Sequence, residues 1–534
     1  MAYDYAPFPY VPPTGLTAPE GRHPVVIVGA GPIGLAMAID LAQHGVKSVV
    51  LDDNNVVSVG SRAICWAKRT LEIFDRLGVG ERMLEKGVTW KVGRQFHGAK
   101  EVYSFDLLPE PGHKYPAFIN LQQYYVEQYL VERAQEFPDL IDLRFLNKVT
   151  DHTDHGTYVE LTVETPDGTY TLEADYYIAC EGAGSPTRKR MELAFEGQTF
   201  EEHFLIVDVE METSPFGDHD TPERWFWFAP PFHNGQSALL HKQPDNIYRI
   251  DLQLGPETDP KEEATEARVI PRIKAIVGDT PFRLDWMSVY KFRCAKLERF
   301  VHNRVLFVGD SAHVVSPFGA RGGNGGIQDV DNLGWKLASV LQGDAPAILL
   351  ETYNEERTHG SAENILNSAR ATNFMTPKSP IEALFRDEVL NLASDHPFAR
   401  KLINSGRLSN PCSLEGKSLQ TPGDAPQHPG WPLMDAPLVG PNGQTWLVAE
   451  TKGQFTLLGF GQTALAEITG IARLGINGQH DYPCFDDVEG HAAQRYGADH
   501  IYLIRPDGHI CAAFRSAKPK EIQAAYDRAR GINA

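Results

Sequence analysis

The chain has 534 residues, enough for two to four domains with a sizeable core. Its 70 acidic and 50 basic side chains leave a formal charge of −20, which argues against nucleic acid as a partner because phosphate binding wants a basic surface. No run reaches the ~20 apolar residues of a membrane span, and the proline-rich start lacks the layout of a signal peptide, so a cytoplasmic protein with no stable membrane association is expected. The six cysteines are scattered without a CxxC pair or zinc spacing, which suits free thiols and predicts no metal site.

In chain order, residues 1–23 read as an extended arm. Val25–Val28 is a β-branched strand, Ile33–His44 has helical spacing and Ser48–Leu51 is a second strand, a βαβ unit that opens a parallel sheet. The loop between strand and helix, Gly29-Ala30-Gly31-Pro32-Ile33-Gly34, is a GxGxxG motif. Its first glycine permits a tight turn, the second lets a pyrophosphate approach the backbone, and the third allows close helix–strand packing. The helix N-terminus adds free N–H groups for the phosphates. Asp52, with Asp53 beside it, ends the second strand about 20 residues on, where an acid accepts hydrogen bonds from ribose. Strand, loop, helix and acid together predict a Rossmann-type dinucleotide site.

Further along, Arg69–Leu84 and Gln122–Gln135 have helical spacing. The alternation from Gly156 to Glu173, turning at Asp167–Gly168, predicts a β-hairpin. Tyr176–Ala179 is a buried strand leading into Cys180-Glu181-Gly182. Residues 204–290 are strand-rich and aromatic, predicting a mixed-sheet second domain. Arg304–Val308 is another buried strand, followed by a glycine-rich loop and a helix over Asp329–Leu341. Prolines and glycines mark 409–437 as a linker, and 438–534 read as a separate α/β domain.

A second motif follows the strand Arg304–Val308. It begins Gly309-Asp310-Ser311-Ala312-His313. Pro317-Phe318-Gly319-Ala320-Arg321-Gly322-Gly323-Asn324 then opens a helix carrying Asp329, Asn332-Leu333 and Trp335-Lys336-Leu337. In this order the motifs resemble the para-hydroxybenzoate hydroxylase-like class A FAD-dependent aromatic hydroxylases, and among them the phenol 2-monooxygenase and 3-(3-hydroxyphenyl)propionate hydroxylase subgroup, over about 24–357. The resemblance implies an α/β protein with a Rossmann-type FAD-binding domain in two parts (24–203 and 291–408), the mixed-sheet substrate domain, and a thioredoxin-like C-terminal domain. That last domain would lack redox cysteines, since Cys484 and Cys511 are far apart in sequence. They suit a structural or dimer-forming role, and a homodimer is allowed for.

By the same resemblance, Gly29, Gly31, Pro32, Ile33, Gly34, Asp52 and Asp53 take the nucleotide half of FAD and Asp310 holds the ribityl chain. The backbone from Pro317 through Gly319, Gly322, Gly323 and Asn324 lies against the isoalloxazine, where a helix N-terminus stabilises the charge of reduced flavin. Arg62, Gln123, Arg249 and Glu181 join the cofactor contacts. Glu181 stands where the family has Asp, at a site that also serves reduced nicotinamide. His313 reads as a structural histidine.

On the substrate strands, His241 falls where the family has a serine touching substrate, and Gln243 where it has an arginine pairing with the substrate carboxylate. A glutamine cannot form that charged bidentate pair, so a neutral phenol or an acid on a longer side chain is expected. His241 and Asp251 are candidates for the phenol end, because phenolate is attacked faster than phenol. With Pro317 they form the expected catalytic set, and with Gln243 the expected substrate set. Trp225-Phe226-Trp227-Phe228 could wall the pocket, although core packing is the more frequent role for such residues.

The implied activity is hydroxylation of a small phenolic compound, using dioxygen and NADH or NADPH, through a flavin C4a-hydroperoxide. The single GxGxxG fits a nicotinamide bound only transiently. An FAD dehydrogenase, a halogenase and a non-enzymatic flavin-binding sensor are the competing readings. The halogenase pattern WxWxIP is not matched by the run ending Ala229-Pro230.

Overall fold

Two eight-stranded sheets and one five-stranded sheet carry the architecture. The structure is a computed structural model, and it describes residues 3–108, 110–216, 221–255, 257–403 and 409–532. The fold is the α/β class expected, with mixed sheets.

In the first sheet His23–Val28 pairs in parallel with both Ser48–Asp52 and Gly168–Ala179. Ile141–Phe145 extends it on one side and Val305–Phe307 on the other. Val25, Val26 and Ile27 have no solvent exposure, as befits central strands covered on both faces by helices. The antiparallel strands Lys148–Asp154 and Val159–Thr165 continue from Gly168–Ala179, adding a third strand to the expected hairpin. The single helix expected over Arg69–Leu84 is instead two, Lys68–Leu77 and Gly80–Lys86. Gly78, at φ +90°, caps the first by donating to Asp75 O, which ends the helix there.

The helix expected from Asp329 begins seven residues earlier, spanning Gly322–Leu341. Its glycines are poor helix formers taken as loop, yet contacts demand them. A Cβ on Gly326 would sit 2.6 Å from Ile33, and one on Gly323 would sit 3.2 Å from Trp66. Packing against the dinucleotide helix overrides propensity.

The second sheet runs, in spatial order, His313–Val314, Arg283–Lys296, Glu196–Glu210, Ile247–Leu254, Ala238–Lys242, Arg224–Phe228, Val92–His97 and Lys100–Asp106. It therefore draws on more chain than 204–290, recruiting two strands from before residue 110. Strand alternation divides its faces. Leu205, Val207, Trp227, Leu240 and Ile250 pack with Val269 and Ile273 of the helix Glu266–Val277 on one side. Phe204, Phe226, Phe228 and Leu239 pack with Phe318 and with Met375 of the long helix Leu349–Met375 on the other. The aromatic run of 225–228 is thus shared between a core face and a face turned toward Phe318.

In the C-terminal part, Thr456–Phe460, Ala472–Ile476 and Cys484–Phe485 are parallel. The antiparallel pair Ile501–Ile504 and Ile510–Phe514 and the helix Pro519–Ala529 complete the thioredoxin-like arrangement. Its apolar core is continuous with Trp335 of the helix Gly322–Leu341 and Leu349 of the helix Leu349–Met375.

Beside that apolar contact runs a seam of fully buried charge. Glu356 accepts hydrogen bonds from Arg505 at 2.6 and 3.0 Å, from Lys336 at 2.7 Å and from Asn332 at 2.7 Å. Arg505 also donates to Asp507 at 3.0 Å. Arg69 joins Asp331 to the Asp507 carbonyl at 3.0 and 2.6 Å. Residues 505–507 of the C-terminal part are thereby bonded to the helices Leu349–Met375 and Lys68–Leu77, and Asn332 of the helix that begins at Gly322 donates to Asp507 at 3.2 Å.

The N-terminal arm packs on the first domain: Phe8 stacks on Phe145 at 4.6 Å and Tyr3 donates to Gln128 at 2.8 Å. All six cysteines are unpaired. Among the described residues no helix is long and apolar enough to cross a membrane.

Candidate active site

The three motif glycines serve three separable ends. Gly29 adopts φ +108°, and a Cβ there would lie 2.4 Å from the Cys180 carbonyl oxygen. A Cβ on Gly34 would lie 1.8 Å from Gly29 O. A Cβ on Gly31 would meet nothing within 4 Å, so the protein leaves open space over that residue, at the start of the helix Pro32–Gln43. Asp52 closes the loop, accepting from Ala30 N at 2.6 Å and Asn54 N at 2.8 Å, and burial pushes its carboxyl up to about 6. Asp53 beside it is exposed.

The second motif meets the first. Gly309, at φ +66°, lies against Ile33, and its N–H donates to Asp329 at 3.0 Å. Asp329 also holds His313 at 2.7 Å and Arg357 at 2.6 Å. Burial raises the Asp329 carboxyl but His313 and Arg357 outweigh it, and the net shift is downward. His313 is accordingly a buried structural histidine. Asp310 differs: its carboxylate has no hydrogen-bond partner among the described residues, burial raises it, and it lies 4.0 Å from where a Cβ of Gly322 would stand.

From Pro317 the chain turns through Gly319 at φ +92° and Ala320 at φ +51° into the helix, whose first turn has no side-chain cap. Asn324 ties this turn to a distant strand. Its Oδ1 accepts from Ala67 N at 2.9 Å, and its Nδ2 donates to Cys65 O at 2.9 Å and Ala320 O at 2.5 Å.

Other expected cofactor residues face their own chain. Glu181 accepts from Ser185 Oγ at 2.6 Å, Thr187 N at 3.1 Å and Thr187 Oγ1 at 2.8 Å, so the longer acid caps a short helix. Gln123 donates to Ser58 and Glu127 and accepts from Ala63 N at 3.2 Å, bracing the 58–63 loop. Arg62 in that loop is exposed at φ +47°, and its carbonyl accepts from Arg249.

On the sheet face turned toward Phe318, strand register pairs Arg224 with His241, His241 with Arg249 and Arg249 with Asp208. Cross-strand partners share a face, so the four form one row. Arg249 donates to Asp251 at 2.7 Å. His241 is 2% exposed, its Nδ1 has no partner, and its Nε2 stands 4.0 Å from Asp251, outside hydrogen-bond reach. Burial, with Arg224 and Arg249 adding to it, holds the imidazole well below its ordinary range, so it is neutral. Gln243 is fully buried and donates to Asp208 at 3.0 Å, while its own Oε1 lacks a partner. Arg224 and Cys65, close to this group, went unremarked in the sequence. The available signal was a charge standing in alternation with Phe226 and Phe228.

These features fit FAD. Open space lies over Gly31, an unpartnered carboxylate stands at Asp310 near Gly322, and the helix that Gly322 opens has no side-chain cap.

A family model described as "FAD binding domain" matches residues 22–368. The chain is 30% identical over 419 residues to a 3-(3-hydroxy-phenyl)propionate/3-hydroxycinnamic acid hydroxylase of Mycolicibacterium gilvum, covering 78% of this chain and 71% of that one. It is 29% identical to a 12-dehydrotetracycline 5-monooxygenase/anhydrotetracycline 6-monooxygenase of Streptomyces rimosus subsp. rimosus, covering 92% of this chain and 95% of that one. The crystal structure of the flavin-dependent monooxygenase PieE in complex with FAD and substrate superposes with a TM-score of 0.82 at 23% identity, covering 96% and 100% of the two chains, a likeness of fold. With well over half of its length inside the matched model, the chain belongs to the FAD-binding-domain family and is an FAD-dependent monooxygenase of the aromatic-hydroxylase kind.

Proposed function

We propose that the protein hydroxylates a phenolic ring at the expense of NADH or NADPH and dioxygen. The observation that carries this reading is His241, a buried, neutral imidazole with a free ring nitrogen, on the sheet face that packs toward the flavin-side loop. A neutral imidazole with a free nitrogen can accept a hydrogen bond from a phenolic hydroxyl, which makes the ring more electron-rich and a better nucleophile. Asp251 orients Arg249, which in turn braces the 61–62 loop.

In this reading Gly29, Gly31, Pro32, Ile33, Gly34 and Asp52 hold the nucleotide end of FAD, with Asp53, Arg62, Gln123 and Glu181 bordering it. Asp310 binds the ribityl hydroxyls, and the first-turn N–H groups of Gly322, Gly323 and Asn324 face the ring edge where negative charge gathers. Bound FAD supplies the redox and dioxygen-activating chemistry. The chain's own work is to orient the substrate, exclude water and hydrogen-bond the phenolic oxygen at His241. Phe226 and Phe228 form the apolar wall, and Gln243 with Asp208 closes the end of the strand.

The test is a substrate panel running from simple phenols through 3-(3-hydroxyphenyl)propionate to anhydrotetracycline, scored by product mass and by NADH and NADPH consumption. His241→Ala is expected to retain FAD and lose product. Unchanged turnover in that variant with a productive substrate refutes the assignment.

A further inference from the structure

We propose that Arg224, with His241 beside it, is an oxyanion anchor, and that the substrate carries an ionised oxygen group that pairs with this guanidinium. The inference rests on the hydroxylase reading only in taking this sheet face as the substrate's seat.

Four observations point there. Arg224 opens the strand Arg224–Phe228 on the same face as Phe226, and it forms no ion pair or hydrogen bond among the described residues. Its Nε is shut off from solvent and has no partner. The nearby carboxylate that could have paired with it, Asp251, is bonded to Arg249 at 2.7 Å, while the preceding Glu223 is held by Arg94 at 2.6 and 2.8 Å. The guanidinium instead lies 5.6 Å from the centroid of the Trp90 ring, whose own N–H is occupied by Asn120. The side chain is half-buried, and an arginine stays charged at any pH the protein meets, so a guanidinium partly withdrawn from water without an acceptor carries a cost, and burial drives its ionisation downward. The neighbouring groups relieve it only in part: Asp251 attracts it without bonding to it, Cys65 is a thiol raised by burial, and Arg249 repels it. His241 Nδ1, also unpartnered, stands in the same row. Two adjacent polar groups lacking partners therefore await one ligand oxygen. A fork of N–H donors suits a carboxylate or a phenolate equally.

This also resolves the departure at Gln243. The cation missing from the expected position on the strand Ala238–Lys242 and its exit is supplied by the neighbouring strand, one register row away.

The experiment measures dissociation constants by perturbation of the flavin absorbance of the oxidised, FAD-loaded enzyme, without reductant. Two probe pairs distinguish the two oxyanion sources: 3-(3-hydroxyphenyl)propionate against its amide, and 4-nitrophenolate against 4-nitroanisole. The wild type is expected to prefer the anion of at least one pair by about tenfold or more, the fold-change of a charge-assisted hydrogen bond. Arg224→Met is expected to erase that preference while keeping FAD and its affinity for the neutral member, and Arg224→Lys to restore part of it. Because an unpaired cation is removed, the thermal midpoint of ligand-free Arg224→Met should hold or rise. A wild type that prefers neither anion at millimolar concentration, a preference that survives in Arg224→Met, or a fall in that variant's midpoint overturns the proposal. Turnover does not enter these readouts, so failure of the hydroxylase reading is seen separately.

Discussion

Replacing Glu356 by Gln tests whether the buried charge seam secures the C-terminal part to the flavin-side helix. Glu356 is fully buried, with Arg505 at 2.6 and 3.0 Å and Lys336 at 2.7 Å. At an effective dielectric of about 20, each of these two contacts carries roughly 6 kcal/mol of attraction. Desolvation of the carboxylate offsets several kcal/mol of the sum, and removing one member of such a cluster costs about 3–5 kcal/mol net. Arg505 retains Asp507, but Lys336 keeps only Asn332 Oδ1 at 2.9 Å. Against a total stability of about 5–15 kcal/mol the loss is large. Urea unfolding of the FAD-loaded protein, followed by tryptophan fluorescence, should show the first transition at lower urea in Glu356→Gln, with early proteolysis in the 409–437 segment. Lys336→Met combined with Glu356→Leu removes both charges and should recover more than half of the loss, since apolar replacement of a buried pair is near neutral. A Glu356→Gln variant within about 1 kcal/mol of wild type, or a double variant no better than the single one, refutes the reasoning.

Other outcomes follow from the site. Gly31→Ala should fold normally and bind FAD at least tenfold more weakly, because space is open on the protein side, whereas Gly34→Ala should lower stability itself through its clash with Gly29 O at 1.8 Å; equal thermal midpoints for the two apoproteins would contradict this. Asn324→Ala deletes the bonds to Ala67 N and Cys65 O, roughly 1 kcal/mol each, and should speed FAD loss on gel filtration. His241, lowered from 6.5 by burial, stays neutral in the fold while the unfolded chain protonates, so the stability tied to it is present above pH 6.5 and lost as pH falls. Compared with His241→Gln, the wild type should therefore lose up to about 1.4 kcal/mol more per pH unit below 6.5, and parallel stability–pH curves would argue against a neutral imidazole.

What could be read in the sequence was local. Gly29, Gly31 and Gly34 each answer a constraint set within a few residues, and the pairing of Gly309 with Ile33 follows once both motifs are recognised. Side-chain direction was not legible. Glu181 turns inward because Ser185 and Thr187, only four and six residues on, offer three donors, and nothing in its spacing reports that. The strands Val92–His97 and Lys100–Asp106 form a local hairpin whose alternation is short and weak, and its docking beside Arg224–Phe228, more than a hundred residues on, has no local signal. The charge seam was hidden for a related reason: Glu356 and Arg505 look like surface residues until distant packing buries them together.

Asn324 has a consequence for how the protein is made. The shelf it completes joins residues 65–67 to the turn at 317–324, and the strand Val305–Phe307 must also dock beside Gly168–Ala179. A chain emerging from the ribosome can assemble the GxGxxG loop early, yet under the proposed placement of FAD it would have nowhere to seat the tricyclic end of the nucleotide until the helix ending at Leu341 is out. Cofactor capture would thereby be deferred past the synthesis of the whole second sheet, and a truncated product would lack a complete grip on flavin.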